Sequence, residues 1–296
     1  MSLAGQTSRL LEAVTPEHVV AAIGLVIFGA WLVRTSWGRK ALSDSKPRRN
    51  DMPVYLPPVL MLVWFGPVQI VILAAQMLVD RCFGVPGWVA AAVANLTYCL
   101  CAVTLLIGCL FLARFHFARR LKGLGLNLRS IPEDLLMGLV NLLACWPLVL
   151  TMMVATVLVG KLIWGWDYEI SKHQELELLA EYSQLLFRVS VVVVAVAVAP
   201  VFEEVLFRGL FQTMVRSILI RHNMATSTRP DRSAWLAILA GAALFAMVHA
   251  DVAHWPALAV LGVCLGYAYE KSGSLFRPIF IHVMFNAVTI LAALRA

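Results

Sequence analysis

The chain has 296 residues, of which 61% are hydrophobic and 14% charged, with a mean hydropathy of +0.82. That apolar share lies far above the roughly 45–50% of a soluble domain and excludes a soluble enzyme, because no unit of this length can shield so much apolar surface from water. The 24 Lys and Arg exceed the 17 Asp and Glu, but they cluster between apolar runs, which fits loops facing a lipid bilayer and not a nucleic-acid partner.

Apolar runs near the ~20 residues that cross a bilayer as helix fall at 18–33, 55–79, 88–113 and 135–160. A long stretch at 185–220 follows, broken by Pro200, Glu203, Glu204 and Arg208, and then runs at 234–250, 256–270 and 278–294. The pattern predicts an all-α, polytopic membrane helix bundle of about eight transmembrane helices. The first run begins after Glu17, is followed by Arg34, Arg39 and Lys40, and lacks a small-residue cleavage site, so it is expected to stay as an anchor.

Loop charge orients these spans. Residues 34–50 hold six basic residues against Asp44, 113–130 hold five against none, and 216–233 hold four against Asp231. These loops are expected to be cytoplasmic, while 161–184, with Asp167, Glu169, Glu175, Glu177 and Glu181 against two lysines, is expected outside. The signs alternate correctly only if 185–220 crosses once. On this count His249 falls near the outer end of its span and His282 near the inner end of its own, so a shared site requires a tilted, shortened or re-entrant helix.

Glu203 and Glu204 stand in the middle of a membrane-length apolar stretch, where each charge costs roughly 2.5–3.5 kcal/mol. Pro200 predicts a fresh helical start whose free N–H groups favour carboxylates. Glu204 and Arg208, four apart, can form a buried ion pair that fixes helix packing. Glu203 has no opposite charge at helical spacing, which points to function. His249 lies four residues after Phe245, and His282 four before Asn286, so the last two share a helix face. A carboxylate able to take a proton from water, a histidine to hold that water and a His/Asn pair to stabilise an oxyanion make a hydrolytic constellation.

The ordered set Glu203, Glu204 and Arg208 (E-E-x-x-x-R), Phe245 and His249 (F-x-x-x-H), His282 and Asn286 (H-x-x-x-N), with LGYAYEKSGSLFRPIFIH between the later two, resembles the CAAX prenyl endopeptidases and bacteriocin-processing enzymes, the CPBP or Abi family of intramembrane proteases. The resemblance covers about 185–294 and divides the chain into N-terminal transmembrane helices, 1–184, and a protease-like core, 185–296. It implies an endopeptidase of the bacterial cytoplasmic (inner) membrane that cuts a peptide or membrane-protein substrate. In it Glu203 activates water, His249 positions it, His282 and Asn286 form the oxyanion hole, and Glu204, Arg208 and Phe245 organise the site. The family is conventionally termed metalloprotease, and Glu203, His249 and His282 could ligate a divalent metal such as zinc. The chain lacks an H-E-x-x-H helix, so the reading leans to glutamate-activated water with or without metal.

Two other readings compete: a catalytically silent scaffold or immunity protein of the same fold, and a transporter using Glu203 as a proton relay, which lacks visible inverted repeats. His18, His116, His173, His222 and His254 read as interfacial or solvated, the six cysteines as small core residues, Trp31, Trp37, Trp64 and Trp88 as belt or core, and Gly262 with Gly266 as a close-packing pair.

Overall fold

The computed structural model describes residues 16–171, 174–221 and 231–295. His173 and His222 lie outside these residues. Among the described residues eight apolar helices make the bundle: α1 (Pro16–Arg34), α2 (Leu56–Phe83), α3 (Gly87–His116), α4 (Ile131–Trp164), α5 (Leu185–Arg221), α6 (Asp231–Met247), α7 (Trp255–Ser272) and α8 (Phe276–Arg295). Among the described residues there are no strands, only an isolated bridge between Asn50 and Phe117. Six of the helices, α2 to α5, α7 and α8, are long and apolar enough to cross a membrane, and α1 and α6 are shorter apolar helices. The protein is therefore an all-α membrane bundle. Leu62, Ile107, Leu158 and Leu162 are exposed along the long helices, as side chains facing lipid tails are.

Successive helices run in opposite directions, so the loops sort to two ends. At one end Asp51 N–H donates to the His116 carbonyl, Leu275 N–H to the Gly125 carbonyl, and Lys271 to the Asp44 carboxylate at 2.7 Å. The lysine holds the Asp44 carboxyl below its ordinary value. Gly125 has φ +107°, and a Cβ there would stand 2.7 Å from the Leu275 nitrogen, so only glycine lets the α3–α4 loop dock on the α7–α8 turn. The basic stretches 34–50 and 114–130 thus share one end, joined by Arg216 near the close of α5, which pairs with Glu270 and donates to Ser45. At the opposite end Ser171 donates to Asp251, and Trp88, Leu179, Tyr182, Phe187 and Ile290 pack together.

The two halves of the chain share a core. Trp64, Ala102 and Cys109 cluster with Phe202, Phe207 and Phe245, and the Trp64 ring lies 4.4 Å from that of Phe202. A π-helical turn at Trp64–Val68, containing Pro67, sits in α2 where Trp64 meets α5. Such turns widen a helix beside proline. Of the cysteines, Cys109 and Cys145 are buried as expected, whereas Cys82 is exposed near the end of α2. Trp64 is core, and Trp37 is exposed at the basic end. His116 meets Asp51 at 3.0 Å, while His254, beside Asp251 at 3.2 Å, is buried rather than solvated.

Candidate active site

The site forms on α5. This helix does not restart at Pro200: it runs unbroken through two π turns, Val193–Val198 and Val205–Gln212, with the α-helical piece Ala199–Glu204 between them. The expected patch of free N–H groups at the two glutamates is therefore absent, because the wide turn absorbs the proline without opening the helix. Ala199 N–H reaches back five residues to the Val194 carbonyl. In that register the next acceptor, the Ala195 carbonyl, would take its proton from residue 200, and proline has none.

Asn286 fills the gap, its Nδ2 donating to the Ala195 carbonyl at 2.7 Å.

Adjacent helix positions point about 100° apart, and the two glutamates meet different surroundings. The Glu204 side chain is 0% exposed, that of Glu203 20%. Arg208 Nη1 donates to Glu204 Oε1 at 2.9 Å, giving the predicted i, i+4 pair, and Arg208 Nη2 reaches the Gly262 carbonyl on α7 at 3.4 Å. His282 Nδ1 approaches the same Glu204 oxygen at 2.9 Å. An ionised carboxylate can only accept, so Nδ1 carries a proton and Nε2 is the histidine's remaining nitrogen. That nitrogen faces Glu203 Oε2 at 3.9 Å. The separation is too long for a direct hydrogen bond, and a single water can touch both atoms.

His249 reaches the assembly through Phe245. The Phe245 ring centroid lies 4.9 Å from the His249 ring and 5.6 Å from the His282 ring, with the Arg208 guanidinium carbon 4.5 Å over its face. His249 Nδ1 donates to the Phe245 carbonyl at 2.7 Å, which again leaves Nε2 as the other nitrogen. The tension over the level of the two histidines is resolved by a shortened helix. With 17 residues, α6 ends at Met247, and His249 stands just past it. Glu203, Glu204, Arg208 and His282 thus come together, Phe245 and His249 adjoin them, and Asn286 lies one turn beyond His282 with one amide hydrogen already engaged.

A zinc-type site asks for three or more converging ligands. Among the described residues no group of three His, Cys, Asp or Glu side chains stands in metal-holding geometry. His249 Nδ1 and His282 Nδ1 each meet a protein acceptor, which leaves Nε2 as the other nitrogen of each ring.

The sequence reading missed the continuation of the polar face. Glu204, Arg208, Gln212 and Arg216 repeat every four residues. An unbroken α-helix would carry such residues about 40° further round at each step, and the π turn, which rotates less per residue, takes that drift back. Gln212 Nε2 donates to the Gly266 carbonyl at 3.2 Å and to Glu270 Oε1 at 3.1 Å. Gly262 and Gly266 therefore do more than allow close packing, since they present bare carbonyls to Arg208 and Gln212. The four-residue spacing was the available signal.

A helical membrane bundle with a carboxylate and an imidazole facing each other across its middle is the class these features define. Within it, residues 185–288 match a family model described as Type II CAAX prenyl endopeptidase Rce1-like. The resemblance read from the sequence is thus found over α5 to most of α8, the stretch that holds every motif residue. Neither the comparison with curated proteins nor that with solved structures gives a match.

Proposed function

We propose that this protein is an intramembrane endopeptidase that hydrolyses a peptide bond of a peptide or membrane-protein substrate with water activated by Glu203. The observation that carries the reading is the pairing of a partly accessible carboxylate with a histidine whose far nitrogen is anchored by a fully buried one. Glu204 and Arg208 hold His282 rigidly, so its Nε2 faces Glu203 without having to be ordered at the moment of reaction.

In this mechanism Glu203 takes a proton from water while the oxygen attacks the carbonyl carbon, and His249 Nε2 accepts the second water hydrogen to aim it. In this proposal His282 acts on the oxyanion through Nε2–H while its Nδ1 stays on Glu204, together with the second amide hydrogen of Asn286. As the tetrahedral intermediate collapses and the C–N bond breaks, Glu203 returns its proton to the leaving amine. No step is assigned to a metal. The match to a CAAX prenyl endopeptidase family supports this class of reaction, and the bacterial cytoplasmic membrane as its place is part of the same proposal.

The test is Glu203→Gln, which keeps the shape and removes the base. Against a library of lipidated and unlipidated peptides, the variant folds, binds and turns over at least ~100-fold more slowly. Turnover near that of the unchanged protein rejects the glutamate-water mechanism and favours the silent scaffold.

A further inference from the structure

A cavity of about 300 Å³ opens at the basic end of the bundle, between the α3–α4 loop and the α7–α8 turn. Arg119, Lys122 and Arg129 line it, with Asn127, Ser130 and Ser274 on its walls and no carboxylate among its lining residues. Three cations at the same end are matched: Arg277 to Glu133 and Asp134, Lys271 to Asp44, Arg216 to Glu270. Among the described residues no ion pair involves Arg119, Lys122 or Arg129. Three unmatched positive charges around one concavity leave a strong local field for an anion.

The walls are fixed. Ser130 Oγ donates to the Asn127 carbonyl at 2.8 Å and Ser274 Oγ to the Gly125 carbonyl at 3.3 Å, while Gly125 itself admits no larger residue. The cavity lies at the small end of the volumes that hold ligands. It also borders the lipid-facing surface. Leu128, between the two lining residues Asn127 and Arg129, is 74% exposed, and Leu135 and Leu136 are exposed on the first turns of α4 directly after it. Cationic side chains suit phosphate oxygens, and apolar side chains beside them suit acyl chains.

We propose that this cavity binds the phosphate headgroup of an anionic phospholipid, with the acyl chains running down the α4 face past Leu128. The site is separate from the Glu203 machinery and does not depend on proteolysis. It gives the bundle a lipid-anchored corner at the loop that, through Gly125 and Leu275, supports the start of α8, the helix that carries His282.

The experiment is native mass spectrometry of the full chain in detergent, titrated with phosphatidylglycerol, with phosphatidylcholine as the zwitterionic probe and inorganic phosphate as competitor. Phosphatidylglycerol is retained in preference to phosphatidylcholine. The triple variant Arg119→Gln, Lys122→Gln, Arg129→Gln weakens that retention by at least about tenfold, from what basic side chains contribute beside an anionic lipid. A control triple, Arg34→Gln, Arg39→Gln, Lys40→Gln, removes the same charge from the same end and leaves retention unchanged. Equal loss in both triples, or none in the first, overturns the cavity as the site. Displacement of the lipid by inorganic phosphate at equal concentration overturns the lipid assignment in favour of a soluble phosphate. Because all three substituted side chains are exposed, a thermal melt of each variant shows that folding is retained.

Discussion

Asn286 donates its side-chain amide to the Ala195 carbonyl at 2.7 Å, in the one register where Pro200 withholds a backbone proton. A residue proposed to meet the oxyanion is thereby also the partner that lets a proline sit inside a membrane helix. Leaving that carbonyl unmet in an apolar setting costs about 1–3 kcal/mol. Asn286→Ala therefore lowers the detergent melting temperature as well as turnover. In a Pro200→Ala background the restored N–H serves the carbonyl, and the same substitution becomes nearly neutral for stability while turnover still falls by about 10²–10³. An identical stability loss in both backgrounds would show that the carbonyl is satisfied in another way.

Glu204→Ala or Arg208→Ala leaves a charge buried without its partner, at a cost of roughly 3–5 kcal/mol. Each single variant is expected to fold in poor yield, and the double variant to recover part of that loss. If the double melts no higher than the singles, the pair does not act as a unit. Glu204→Gln separates stability from function, since it keeps the shape but weakens the hold on His282 Nδ1.

Topology can be read from two thiols. Cys82 is exposed at the end of α2, and Lys46 sits in the basic loop at the other end of the bundle. In sealed vesicles, a Lys46→Cys protein is expected to react from the cytoplasmic face at position 46 and from the opposite face at Cys82. Reaction of both from one face removes the alternation of helices. Reaction of position 46 from outside alone reverses the orientation.

A Cβ on Gly262 would come within 2.9 Å of the Ala242 Cα, whereas one on Gly108 meets nothing within 4 Å. Gly262→Leu should push α7 away from α6 and from the Arg208 side chain, destabilising by about 1–3 kcal/mol and lowering turnover. Gly108→Ala should leave both unchanged or gain slightly in stability. Comparable losses in the two variants would mean that the α6–α7 contact is looser than the geometry requires.

Much of this architecture is legible in the residues, for physical reasons. All eight apolar runs become helices because a bilayer leaves helices as the way to satisfy the backbone, so hydropathy alone places them within a few residues. Glu204 and Arg208 pair as their spacing says, because a four-residue offset survives both α and π turns. The π turns themselves were not legible. A wide turn changes hydrogen-bond register without changing hydropathy, so Pro200 reads as a helix start when it is an interior residue with a borrowed donor. Gln212, Arg216 and Glu270 escaped for a related reason. Each looks like an interfacial polar residue until the partner helix is known, and only the Gly262 and Gly266 carbonyls reveal the shared face. His254 was read as interfacial or solvated because it stands at the end of an apolar run, where water is near, whereas it lies buried beside Asp251.

The 17-residue length of α6 has a consequence for the surrounding lipid. At 1.5 Å per residue it spans about 25 Å, short of the roughly 30 Å hydrocarbon thickness that the longer helices bridge. Such hydrophobic mismatch is met by thinning of the adjacent leaflet. A bilayer around the bundle is therefore expected to thin beside α6, the helix that carries Phe245, which would shorten the path of the proposed substrate to Glu203.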